Sequence, residues 1–167
     1  MPKYDAERFI KDIEILFKAN LNTKISEINT EKNTETPETD DNYTLQTIGN
    51  DFWYLQHLPR TWSGKQFIVF GFSEIRLLEQ QEDNAVQQMK VFIEAVIPDA
   101  GDSRRKGNIF KSLRYTRALQ EIAIENFDKI RSFGKLKIDT LTPTSIIVGN
   151  KQLLSSGVEI TASITVR

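Results

Sequence analysis

A single histidine limits the acid–base chemistry open to this chain. His57 is the only histidine, and there is no cysteine. A Ser-His-Asp arrangement would therefore have to use His57 as its base. The run Gly71–Ser73 begins like a Gly-x-Ser-x-Gly nucleophile elbow, but no second glycine follows where the elbow requires one. A P-loop and paired metal ligands at motif spacing are also missing from the sequence. We therefore expect no catalytic residue, no bound metal and no cofactor. The alternative is a small hydrolytic or ligand-binding enzyme built around the His57 region.

Two further groups of residues have both a chemical and a structural interpretation. Glu74 and Glu94 fall on predicted strands and could face each other, but a cross-strand ion pair with Arg76 or Lys90 is the plainer role. The aromatic run Phe52–Tyr54 could stack on bases or on a ligand. Because no basic residue interleaves with it, we predict that it packs into the core.

The stretch from Gln66 to Asp99 predicts a long β-hairpin. Its arms, Phe67–Glu79 and Val86–Ile97, are rich in branched and aromatic residues and flank a polar turn. Each arm would span ~40 Å at ~3.3 Å per residue, so the tip should overhang a domain of this size. An ordinary meander with a long loop is the alternative.

The base and the outer half of this hairpin differ in pattern. The base is apolar on both faces, which indicates that both faces are covered. In the outer half, Ile75 and Leu77 alternate with Glu74 and Arg76, which indicates one covering layer. That layer is either a helix of the same chain or a neighbouring subunit.

Two amphipathic helices are predicted. Asp5 can cap the first, which should run from Ala6 to about Asn29 with one buried apolar face. Its polar face mixes both charge signs, which argues against a membrane-surface helix. The second helix should span about residues 103–130. Its apolar residues cover far more than a ~100° stripe, with Tyr115, Leu119 and Ile122 on one side of the wheel. The opposite apolar side contains Ile109, Leu113, Ile124 and Phe127.

The remaining segments complete an α+β pattern with a single mixed sheet. Residues 31–42 are acidic and lack apolar side chains, so we predict an exposed, flexible loop there. Tyr43, Leu45 and Thr47 alternate with polar neighbours and predict a short strand. Further strands are predicted at 135–139 and 145–148, interrupted by Pro143, and the alternation in 157–166 predicts a closing strand with one buried face.

Length and composition favour one domain without a membrane span. The chain has 167 residues, 39% hydrophobic and 27% charged, which is typical of a single globular domain. A net charge of −1 argues against a duplex-binding surface carried by the whole protein. No apolar run approaches the ~20 residues that cross a bilayer, and no signal-peptide core follows the N-terminus. We expect a soluble protein that matures in the cytoplasm.

The order of elements resembles the tail-terminator and tail-completion proteins of long-tailed bacteriophages. The residues that carry the likeness are 67–72 and 91–99 of the hairpin, 113–119 of the second helix, and 156–164 near the end of the chain. The resemblance implies a virion protein, assembled in the host cytoplasm, that forms a ring, hexameric in this family. Such a ring closes the head-proximal end of the tail tube and contacts the tube protein and the neck or connector proteins. DNA passes through its lumen without sequence-specific binding, and no catalysis or cofactor is implied.

Ring formation needs surfaces that meet between neighbouring copies. We predict that the hairpin lies across a neighbouring subunit and that Ile75, Leu77, Tyr115, Leu119 and Ile122 contribute to this interface. A near-neutral protein also suits a lumen through which DNA must pass without sticking. Another neck or baseplate subunit of a contractile, phage-like particle is the alternative structural role.

Overall fold

The computed structural model describes residues 4–35, 44–81, 84–99, 105–130 and 136–166. Two helices, α1 (Ala6–Glu35) and α2 (Arg105–Glu125), accompany five strands: β1 (Trp53–Leu55), β2 (Phe67–Gln81), β3 (Asn84–Pro98), β4 (Lys137–Val148) and β5 (Lys151–Val166). Short 3₁₀ helices lie at Asn50–Phe52 and Phe127–Lys129. The strands form one sheet in the order β1-β2-β3-β5-β4. This confirms the predicted α+β class, with a single mixed sheet packed against two helices.

The long hairpin is confirmed and forms the middle of the sheet. β2 pairs with β3 in antiparallel register from Phe67 opposite Val96 to Gln81 opposite Asn84. β5 then runs beside β3 over its whole length, from Val166 opposite Ala85 to Leu153 opposite Pro98. The second arm, β3, is therefore hydrogen-bonded to a neighbouring strand along both of its edges. Only the first arm, β2, borders the edge of the sheet in its outer half.

The two ends of the sheet order are edge strands of different length. β1 pairs in parallel with β2 only from Trp53 opposite Ile68 to Leu55 opposite Phe70. β4 joins β5 from Lys137 opposite Thr161 to Val148 opposite Lys151. The two strands predicted on either side of Pro143 are one strand with a register shift between Leu141 and Thr144. An edge strand accepts a proline because its outer N–H groups need no ladder partner.

Helix α1 begins as predicted and ends later. The side-chain Oδ1 of Asp5 accepts a hydrogen bond from the Arg8 backbone N–H at 2.9 Å, which confirms the cap. The helix continues to Glu35, so the prediction of a loop starting at residue 31 is wrong. The added turn is held by α2, because Arg117 donates two hydrogen bonds to Glu31 at 2.8 and 2.7 Å. The rest of the predicted flexible loop, 36–42, lies outside the described residues.

The predicted strand around Leu45 is wrong. Residues 44–49 are irregular, although Leu45 and Ile48 are buried. Two asparagines of α1 take the place of a neighbouring strand: the Asn29 amide bonds the N–H and C=O of Leu45, and the Asn22 amide does the same for Ile48. Because these side chains already satisfy the backbone groups, the segment needs no strand partner. Tyr43 lies outside the described residues.

Both helices cover one face of the sheet. The strictly alternating residues of β5 contribute Val158, Ile160, Ala162 and Ile164 to this buried face, as the sequence predicted. On the opposite face, a smaller cluster is built on Phe67, Val69, Val96, Val148 and Leu153. The base of the hairpin is therefore apolar and covered on both faces, as expected from its pattern.

Candidate self-association surfaces

His57 has no partner for nucleophilic catalysis in the part of the chain that the structure describes. Its ring is exposed; Nδ1 lies 2.7 Å from the carbonyl oxygen of Leu55, and the ring meets the edge of Tyr54 with centroids 5.8 Å apart. Neither contact is a carboxylate that would orient the imidazole or a hydroxyl that it would activate. The surroundings of His57 give an enzymatic interpretation no support.

The two strand carboxylates do not face each other. Glu74 lies opposite Lys90 across the hairpin, and the Lys90 ammonium is 3.0 Å from the Glu74 carboxylate, which confirms the ion-pair interpretation. Glu94 lies nearer the base, between Val69 and Gly157. Burial raises the pKa of Glu94, and a hydrogen bond with Ser155 opposes the shift. Within the described ranges, no group of three His, Asp or Glu side chains is placed to hold a metal ion.

The aromatic run packs against the protein interior. Trp53 meets Phe70 edge-on at 6.0 Å, and Tyr54 meets Phe67 edge-on at 5.4 Å. Phe52 lies under the Lys65 ammonium, 5.3 Å from the ring centroid. An open cavity of about 540 Å³ adjoins this pair. Its lining consists of Gln46, Thr47, Gly49, Phe52, Lys65 and Gln66. Among these described residues there is one hydroxyl, on Thr47, one amine, on Lys65, and no carboxylate.

The outer half of β2 exposes three aliphatic side chains, which we call the hairpin edge. Ile75, Leu77 and Leu78 are 49%, 53% and 49% exposed. Beyond Phe70 the strand has no β1 partner, and the side-chain amide of Gln56 bonds the N–H and C=O of Phe72 at 2.8 and 3.0 Å. After this side-chain cap, β2 borders the open edge of the sheet.

The prediction that Tyr115, Leu119 and Ile122 contact a neighbour is wrong. All three are fully buried within this chain. The Tyr115 hydroxyl donates to the carbonyl oxygen of Gln46 at 2.5 Å and accepts from its N–H at 3.0 Å. Burial raises the pKa of this phenol, which keeps it neutral. These side chains hold α2 on its own sheet, so they are not available to a second subunit.

The opposite apolar side of the helix is the exposed one. Ile109, Leu113, Ile124 and Phe127 are 37%, 43%, 56% and 59% exposed, and we call them the helix stripe. The three residues in α2 fall within about 60° of one another around the helix axis, and Phe127 follows in the adjoining 3₁₀ helix. The helical wheel had grouped these four residues on one side of the helix, but it had not predicted that this side is exposed.

The helix stripe lies on the flank of α2 that faces away from α1. The flank that faces α1 is marked by Glu125, whose carboxylate lies 2.7 Å from the Lys24 ammonium. Arg117, which bonds Glu31 of α1, lies four residues after Leu113 and seven before Ile124, so it separates the two ends of the helix stripe. α2 packs on β3, β5 and β4, so its outer flank lies above β4, one edge of the sheet. The hairpin edge lies at the opposite edge, on β2.

With α2 taken to run along β5, only the end of the helix stripe that holds Ile124 and Phe127 lies at the level of the hairpin edge. Ser156 of β5 donates a hydrogen bond to the carbonyl oxygen of Ser112 at 3.0 Å, which fixes the level of α2. From there Ile124 lies ~18 Å further along the helix, a distance covered by ~5–6 residues of β5. That reaches Ala162, which lies beside Met89, and Met89 lies beside Ile75. Lys137 pairs with Thr161, so the chain returns to the sheet at this level after the helix.

Comparison with known proteins adds no relative. The chain matches no known family model, and no curated protein matches it significantly. In the described residues, neither helix has an apolar stretch of the length and purity needed to cross a membrane.

Two separate apolar surfaces on opposite edges of one sheet suit contact between different faces of identical chains. Single exposed aliphatic side chains are common on monomers, whereas contiguous groups mark interaction sites. The hairpin edge groups three such side chains within four residues. The helix stripe groups two near the start of α2, Ile109 and Leu113, and two at its end, Ile124 and Phe127. These groups, and not a cluster of reactive side chains, are the strongest functional feature of the described structure.

Proposed function

We propose that this protein is a ring-forming structural subunit of a bacteriophage tail. In this role it closes the head-proximal end of the tail tube and joins the tube to the neck or connector. The observation that carries the proposal is the pair of apolar surfaces towards opposite edges of the sheet, where the hairpin edge and the Ile124–Phe127 end of the helix stripe share a level. The element order and the residues that resemble tail-terminator proteins supply the particle in which such a ring would serve.

The arrangement of the two surfaces favours a ring over other assemblies. A contact between two different patches of identical chains is heterologous, and it produces a closed ring or an open helical filament. A filament requires each copy to step along the assembly axis. Surfaces at the same level along the strands bring copies together without such a step, so the assembly can close around an axis roughly parallel to the strands.

The charge of the chain is compatible with a lumen that lets DNA pass. Binding to duplex DNA is driven largely by neutralising phosphates with lysine and arginine side chains. With 22 basic and 23 acidic residues, the chain carries a formal net charge of −1. A ring of such subunits has no general excess of positive charge that would retain DNA during its passage.

The proposal is tested first by the mass and shape of the purified protein. Native mass spectrometry and sedimentation should give one closed oligomer, and negative-stain images should show rings with a central opening. A protein that stays monomeric at tens of micromolar contradicts the ring.

A second measurement tests the location in the particle. Gold-labelled antibody should mark the junction of head and tail in virions produced from the genome that encodes this chain. Label at the baseplate instead would favour the alternative role as a baseplate subunit. Virions without label, combined with a purified monomer, would exclude both structural roles.

A further inference from the structure

We infer that the helix stripe of one subunit is the docking surface for the hairpin edge of the next copy of this chain. The inference rests on the proposed ring and names its contact. Ile75 and Leu77 of one copy would pack against Ile124 and Phe127 of its neighbour. The interface predicted from the sequence assigned the helix side to Tyr115, Leu119 and Ile122, which the fold buries.

The position of the helix stripe along the strands indicates that it is occupied by the hairpin edge of another copy. Ile75 lies in the same row across the sheet as Met89 and Ala162, and Ile124 lies near that row by the rise of α2 from Ser112. A neighbour placed beside the β4 edge without an axial shift therefore presents its hairpin edge to the end of the helix stripe that holds Ile124 and Phe127.

The exposed apolar area of these residues can be compared with the area that a specific interface buries. Fully burying an aliphatic side chain removes up to ~120 Å² from water on the usual area scale, so a half-exposed one still offers ~60 Å². The residues that would meet, the hairpin edge with Ile124 and Phe127, offer on the order of 300 Å² together. The smallest specific interfaces bury ~1,200 Å², of which ~57% is apolar. These residues thus supply a little under half of that apolar area, and flanking residues supply the rest.

A heterologous contact is the arrangement that covers both surfaces at once. Two helix stripes packed on each other would leave both hairpin edges exposed, and two hairpin edges packed on each other would leave both stripes exposed. Either isologous contact alone would end assembly at a dimer, and covering both surfaces in that way would need both contacts together. A single heterologous contact joins one surface to the other and continues to the next copy.

Complementation between two single-surface variants tests this contact. One variant, Ile75→Asp with Leu77→Asp, loses the hairpin edge; the other, Ile124→Asp, loses the helix stripe. Each alone should be a folded monomer by circular dichroism and sedimentation. Mixed in equal amounts, they should form a one-to-one dimer that grows no further, because one intact hairpin edge meets one intact stripe. Two variants that stay monomeric when mixed would overturn the docking.

Cross-linking provides an independent measurement that does not depend on introducing charge. The chain contains no cysteine, so Leu77→Cys and Ile124→Cys can be placed in separate copies without a background reaction. A short bis-maleimide should join the two copies. The control pair, Leu77→Cys with Ile15→Cys, places the second cysteine on an outer position of α1 that is 66% exposed. It should give no cross-linked product.

The outcomes separate the contact from the ring itself. A wild-type monomer would refute the proposed ring. A wild-type ring that gives no Leu77–Ile124 product would keep the ring and overturn this docking. Cross-linking of two Ile124→Cys copies to each other would show helix-to-helix packing instead, and it would also overturn the inference.

Discussion

Replacing the two alternating residues of the hairpin edge should dissolve the ring without unfolding the subunit. Ile75 and Leu77 are each about half exposed, at 49% and 53%. Complete burial of such a side chain contributes ~1.5–3 kcal/mol. Roughly half of that is still available to a neighbour, about 1.5–3 kcal/mol for the pair at each contact. Ile75→Asp with Leu77→Asp should therefore weaken each contact at least ~10-fold to 150-fold.

The charge introduced by the aspartates adds to this effect. A carboxylate placed in a dry contact without a partner loses its hydration, and this penalty comes on top of the lost apolar burial. Folding should change little, since substitutions at exposed sites usually alter the free energy of unfolding by less than ~0.5 kcal/mol. The expected result is a monomer with a nearly unchanged melting temperature and circular dichroism spectrum.

Light scattering after size exclusion measures the mass of the assembly over a range of concentrations, and it tests this prediction. Ile15→Asp is the matched control, because it also replaces an exposed isoleucine by aspartate but lies on the outer side of α1. It should leave the ring intact. A double variant that retains the wild-type mass would show that the hairpin edge does not hold the assembly. A double variant that unfolds would show that these residues support the subunit itself.

Two further changes probe how the subunit is held together. The Arg117 guanidinium lowers the pKa of Glu31 to about 2, from an ordinary value of 4.5, so its stabilisation is present above that ordinary value and disappears as the pH falls towards 2. Glu31→Gln should therefore lower the melting temperature at pH 7 but not near pH 2, and Glu7→Gln, at a solvent-exposed pair within α1, should change it less; an equal loss at both pH values would refute this account. Gly157→Ala would place a Cβ 1.9 Å from the carbonyl oxygen of Ile93, so urea denaturation should show a loss of about 1–3 kcal/mol or more, and unchanged stability would mean that β3 and β5 can separate there freely.

Local patterns in the sequence determined the elements that do not depend on distant partners. Two-residue alternation identified the hairpin and the closing strand, because side chains of a strand point to opposite faces. Asp5 identified the start of α1, because its side chain bonds a backbone N–H within the first turn. The same local pattern identified Ile75 and Leu77 as residues with an uncovered apolar side.

Only the tertiary structure decided the features that depend on residues far apart in the sequence. The last turn of α1 needs Arg117, and the irregular segment at 44–49 needs Asn22 and Asn29. The order of the strands, with β5 between β3 and β4, also follows from packing and not from any local pattern.

The outer side of α2 shows this limit most clearly. A helical wheel sorts apolar residues into two sides from their spacing alone, and it separated Tyr115, Leu119 and Ile122 from Ile109, Leu113 and Ile124 correctly. It does not say which side meets the sheet. In the fold the first group is buried against the sheet and α1, beside the contact of Ser112 with Ser156. The sequence therefore determined that two apolar sides exist, and the packing of the helix between its sheet and α1 decided which of them is left for a partner.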